Sequence, residues 1–169
     1  IIACDTFNWN GQIITTTGAY NQTFTNAAGC DSTHTLNVTI NNSPTAFAGN
    51  DATICSDTSY IVNGVATNDS LVLWTTSGDG YFTYPNQNNT RYNPGNNDIN
   101  TGSVTLTFTS IGYHPCGNAV DQMNLTIDSV TYGNSSIIAC DTFNWNGQII
   151  TTTGAYNQTF TNAAGCDSI

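Results

Sequence analysis

The chain has 169 residues and a formal net charge of −10, with one basic residue (Arg91), no Lys and no Glu, so that all eleven acids are Asp. Such a surface repels nucleic acid and anionic lipid and argues against a binder of either, and no stretch is long and apolar enough for membrane insertion. The 29 Thr and 24 Asn favour strands and turns, whereas the missing Lys and Glu are good helix formers, so composition points to an all-β protein.

The first module is read as residues 1–43. Phe7, Trp9 and Gly11 alternate with Thr6, Asn8 and Asn10 in the period of a half-buried strand. Asn10-Gly11 is a hairpin turn signal, and Gln12–Thr17 reads as the returning strand. Tyr20, Gln22 and Phe24 alternate again before the turn at Asn26–Gly29. A last strand over Thr33–Ile40 directs Leu36, Val38 and Ile40 inward, with His34 in the same parity at its buried entrance. A module this small buries little core, so a disulfide staple is expected.

Pro44 opens a different module, residues 44–130. Strands are predicted near Ala52–Ile54, Tyr60–Val65, Leu71–Ser77, Tyr81–Thr83, Thr90–Tyr92, Ser103–Thr109 and Gln122–Ile127. Val104, Leu106 and Phe108 share the inward face of the clearest one. Seven short strands with regular turn signals predict a Greek-key β-sandwich of Ig-like architecture, with Trp74 lying between Cys55 and Cys116.

Residues 131–169 form a third segment, and here the chain repeats itself. Ile137–Ser168 is identical to Ile1–Ser32, an offset of 136 residues. Unchanged repetition over 32 residues suggests a tandem array of which this chain is a window. The second copy lacks the equivalent of Thr35–Ile40, so its last strand is expected from following sequence or from another chain added at the open edge.

Six cysteines, none in a C-x-x-C pair, read as disulfides in an oxidising compartment. Because each copy carries its own pair, the economical assignment is Cys4–Cys30 and Cys140–Cys166, leaving Cys55–Cys116 within the central module. Asp-rich turns are plausible Ca²⁺ collectors, although no stretch has the spaced acids of an EF-hand loop.

ACDTFNWNG…GAYNQTFTNAAGCDSTHTLNVTI resembles the short Cys-bounded repeat of giant surface and secreted proteins in Bacteroidota. PTAFAGNDATIC…LWTTSGDGYF…TGSVTLTFTS…PCGNAVDQMNLTI is similar to the PKD/Ig-like modules that alternate with it, although Leu73–Thr76 departs from the strict PKD pattern. The resemblance covers nearly the whole chain. It implies a repetitive adhesin, stalk or fibre exported to the cell surface through the type IX route, without catalytic activity. It also implies O-glycan acceptors in Asp-[Ser/Thr]-x motifs at Ser32, Ser70, Ser129 and Ser168.

Catalytic candidates are thin. His34 and His114 lie in different modules, no G-x-S-x-G elbow is present, and paired-carboxylate chemistry would need two Asp at defined separation. Trp9, Tyr20, Phe24 and Trp145 invite a sugar-stacking reading, but their alternation places them in small cores. The absence of Lys rules out Lys–Asn isopeptide cross-links, and Arg91 is the only trypsin site. The expectation is a structural segment of an extracellular fibre or adhesin stalk, partnered by copies of itself. A carbohydrate-binding module that holds surface glycans is the alternative.

Overall fold

The computed structural model describes residues 1–161 and 165–168. They form an all-β protein with several sheets, one short helix and two disulfides.

The N-terminal part contains β1 (Ile2–Cys4), β2 (Phe7–Trp9), β3 (Gln12–Ile14), β4 (Gly18–Thr25) and β5 (Asp31–Asn41). Asn10 and Gly11 both take positive φ, 48° and 89°, the conformation a two-residue hairpin needs to match strand twist. The Asn8 Oδ1 accepts the Gly11 N–H at 2.9 Å and closes that turn. β4 and β5 pair antiparallel from Gly18↔Val38 to Thr25↔Asp31. β1 lies parallel on the other edge of β5, with Cys4 opposite Asn41. Trp9, Ile14 and Val38 form a small core, packed by Phe7, Tyr20, Leu36 and Ile40. Gln22 Nε2 donates to the Trp9 carbonyl at 2.9 Å and ties the β2–β3 hairpin to the sheet. The inward parity of Leu36, Val38 and Ile40 is as predicted, but His34 is exposed and meets Trp9 edge-on at 5.8 Å.

The central part contains β6 (Thr45–Phe47), β7 (Ala52–Cys55), β8 (Tyr60–Asn63), β9 (Val65–Thr67), β10 (Asp69–Thr76), β11 (Tyr81–Phe82) and β12 (Asn89–Asn93). The helix α1 (Asn96–Thr101), β13 (Ser103–Gly112) and β14 (Asn118–Asp128) complete it. One sheet runs β10-β13-β14-β7, a second β11-β12-β8, and β6 pairs with β9. β7 is parallel to β14, with Cys55 opposite Asp128. Val104, Leu106 and Phe108 do point inward, and they meet Val62, Trp74, Tyr92, Met123, Leu125 and Ile127 in one dry cluster. Trp74 fills its centre, with ring centroids 4.6 Å from Phe108 and 5.5 Å from Phe82. Its indole N–H donates to the Asn88 carbonyl at 3.2 Å, so the polar atom is satisfied.

The short helix was not expected from the Asn-rich sequence, and two aspartates make it. The buried Asp98 carboxylate accepts from the N–H groups of Asp79, Gly80 and Gly95 and from the Tyr92 hydroxyl at 2.5 Å. Asp79 in turn accepts the N–H groups of Asn97 and Asp98 at the helix start. Negative charge and backbone donors meet there, as the first turn of a helix favours.

The second copy rebuilds the hairpin of the first as β15 (Phe143–Trp145) and β16 (Gln148–Ile150), followed by β17 (Phe160–Thr161) and β18 (Asp167–Ser168). Gln158 Nε2 donates to the Trp145 carbonyl at 2.9 Å, as Gln22 does to Trp9. β18 matches only the first two residues of β5, and the rest differs. Ile150 is half-buried where Ile14 is fully buried, and residues 138–140 form no strand where Ile2–Cys4 do. Ile138 is 99% exposed against 57% for Ile2. A three-residue edge strand has too few hydrogen bonds to persist without the strand it lies on.

Candidate functional site

Neither disulfide lies where the duplication suggested. The bonds are Cys4–Cys116 and Cys55–Cys166, with Cys30 and Cys140 free and exposed. The expected pairs Cys4–Cys30, Cys55–Cys116 and Cys140–Cys166 are therefore incorrect. The reason is strand length. Cys4 lies beside Asn41 at one end of β5, whereas Cys30 immediately precedes Asp31 at the other. The strand has eleven residues, and the ten rises between its ends span about 34 Å at roughly 3.4 Å per residue. A disulfide requires Cα atoms within about 7 Å.

The central module repeats this geometry. Cys55 lies beside Asp128 at the end of β14, and Cys116 sits in the turn before Asn118, again across an eleven-residue strand. Each cysteine therefore faces out of its module, towards a neighbour. The two bridges hold Cα atoms 5.0 and 5.5 Å apart and join successive modules. In the third segment Cys166 is buried through its bond to Cys55, which takes it away from Cys140.

The first junction is built around Cys4–Cys116. Asp5, in left-handed backbone at φ 59°, accepts the Ser43 N–H at 2.8 Å and the Ser43 hydroxyl at 2.5 Å. Those two donors hold the Asp5 carboxyl below its ordinary value of 3.8. The Asn41 amide donates to the His114 carbonyl at 2.7 Å, and the Asn68 amide to the Ser43 carbonyl at 3.1 Å. His114 is thereby placed at a module contact through its backbone. Pro44, the boundary residue, packs against Gly112, where an added Cβ would come within 3.0 Å of its ring.

The second junction is built around Cys55–Cys166. The Ser56 N–H donates to the Asp128 carbonyl at 2.9 Å, its hydroxyl accepts the Val130 N–H at 3.2 Å, and the Thr131 N–H reaches the Asp167 carbonyl at 3.4 Å. If strands are counted within each module's main sheet, where β1 and β7 come first in chain order, a cysteine at the end of that first strand and a cysteine in the turn before a last strand meet at both junctions.

The other candidate residues do not converge. Ser32, Ser70 and Ser129 are exposed, and Ser70 Oγ donates to the Ile111 carbonyl at 3.0 Å. The side chain of Ser168 lies outside the described residues. Trp9 and Trp74 are buried and offer no free ring face, Tyr20 and Trp145 are half-buried, and Phe24 is exposed beside His34. For Ca²⁺, no three His, Cys, Asp or Glu side chains gather among the described residues. Several carboxylates instead accept backbone N–H groups: Asp5 from Ser43, Asp51 from Asn124 and Asp121 from Ala48. The depression bordered by Ser77, Asp79, Asn97 and Thr101 has Asp98 beneath it, with its oxygens already engaged.

No protein-family model matches this sequence, and no curated protein matches it.

Proposed function

We propose that the chain is a structural, non-catalytic segment of an extracellular fibre or cell-surface adhesin stalk, in which small and Ig-like modules are joined in series. One observation carries this reading: both disulfides connect one module to the next and neither closes a module on itself. A globular enzyme or lectin gains most from cross-links inside its domain, whereas a load-bearing chain gains from covalent bonds across its joints. The 136-residue repeat supplies the serial logic, and the two disulfides fit an oxidising compartment. The resemblance to repetitive Bacteroidota surface proteins agrees, and with it the O-glycan acceptors at Ser32, Ser70, Ser129 and Ser168.

Electron microscopy of the native material is the test. The expected result is filaments or stalks whose axial repeat corresponds to one 136-residue period. Isolated compact particles without that repeat would overturn the reading.

A further inference from the structure

Cys30 and Cys140 are the two cysteines without partners in this chain. Their sequence-identical counterparts are both bonded. Cys166, the counterpart of Cys30, joins the first-strand cysteine of the Ig-like module before it. Cys4, the counterpart of Cys140, joins the turn cysteine of the Ig-like module after it. The same residues in the same local sequence thus form bonds when an Ig-like module stands on the appropriate side.

We infer that Cys30 and Cys140 are the open links of a disulfide chain that runs through every module junction: Cys140 bonds the turn cysteine, equivalent to Cys116, of an Ig-like module that follows, and Cys30 bonds the first-strand cysteine, equivalent to Cys55, of one that precedes. The inference rests on the serial-fibre reading and specifies how its joints are locked. Each module contributes one cysteine forward from the end of its first strand and one backward from the turn before its last strand. Every small module is then bonded to both neighbours and every Ig-like module likewise.

The geometry also explains why Cys140 is unbound here. Residues 138–140 form no strand, so the cysteine is not held at the end of an edge strand as Cys4 is. An Ig-like module on that side would supply the partner thiol, as the central module does for Cys4. Each new bond removes two protons and two electrons from two thiols, and a disulfide donor, oxidised glutathione or an oxidoreductase, accepts them by thiol–disulfide exchange.

The test compares this chain with the same chain through Ser168 extended by a second copy of Thr33–Ser168, both oxidised in a glutathione buffer. Free thiols are counted after denaturation without reduction. One added period brings four cysteines, the counterparts of Cys55, Cys116, Cys140 and Cys166. The expected count is two free thiols in both proteins, because the extension closes Cys140 and opens its own copy of it. Cys140→Ser provides a test with a change of sign. It lowers the count by one in the present chain and raises it by one in the extended chain, where it strands the partner.

Four free thiols in the extended chain would overturn the inference, as would none in either protein, which would mean pairing inside modules. A ladder of disulfide-linked oligomers of the present chain, formed through Cys30 and Cys140, would overturn it as well. Filaments with the expected axial repeat but a reactive Cys140 in the extended chain would leave the fibre reading intact and remove only this one. Two free thiols on compact particles would do the reverse.

Discussion

Asp98 and Tyr92 show how one buried side-chain contact organises a loop that sequence alone leaves open. The carboxylate gathers three backbone N–H groups and a hydroxyl, from Asp79, Gly80, Gly95 and Tyr92, so the turn after β10 and the helix start are anchored at one point. Burial and the neighbouring Asp98 carboxylate push the Tyr92 hydroxyl far above its ordinary value of 10.0. The folded state therefore keeps this proton when the unfolded chain releases it. Stability from this group is complete below pH 10 and falls as pH rises beyond it, because the unfolded state then binds fewer protons. Urea midpoints between about pH 8 and 11 should decline above the ordinary tyrosine range, with Cys30 and Cys140 alkylated beforehand to prevent exchange. Tyr92→Phe should flatten that decline, and an equal decline in the variant would disprove the assignment. Nothing in the local sequence pairs Tyr92 with Asp98, since Tyr92 reads as the end of a strand over Thr90–Tyr92 and Asp98 lies beyond it in no predicted element.

At the scale of elements, the long strands were legible, as were short ones bounded by turn residues such as β7, β8 and β11, and others were not. β5 and β13 alternate over enough residues for the period to stand out, with inward faces as read from parity, and β10 and β14 lie where strands were predicted. β1 and β6, of three residues each, have no period to show and depend on partners distant in sequence. Gly64 marks the limit from another side. It reads as a turn residue after Asn63, yet it is buried and faces the Phe108 ring, where a Cβ would lie 2.8 Å from the nearest carbon. Gly64→Ala should therefore destabilise the sandwich by about 1–3 kcal/mol through overpacking, measured as a lower urea midpoint with unchanged slope. A neutral result would show that Phe108 has room to withdraw. The equivalent close approach is absent at Gly11, where the demand is on φ alone.

Across the whole molecule the bridges span 112 and 111 residues of chain, and in the chain-entropy model loops of that length are worth roughly 5 kcal/mol each. They act at joints whose other contacts include a few exposed hydrogen bonds, such as Asn41 to His114 and Asn68 to Ser43. Reduction should therefore loosen the joints before it melts the central core, which holds Trp74 without a disulfide. Small-angle scattering should show a broader distribution of end-to-end lengths after reduction, while the near-ultraviolet signal of Trp74 persists. Simultaneous loss of both would mean that the bridges hold up the core itself.

Composition and period by themselves determined the all-β class, the inward faces of the long strands, the hairpin at Asn10-Gly11 and the repeat. Each of these is a local property, written in alternation or in turn chemistry within a few residues. Which cysteine bonds which was decided only by the tertiary structure. Parallel docking of β1 on β5, and of β7 on β14, sets the two cysteines of the first and of the central module at opposite ends of an eleven-residue strand, and a covalent bond of a few ångströms can then be made only to the module next door.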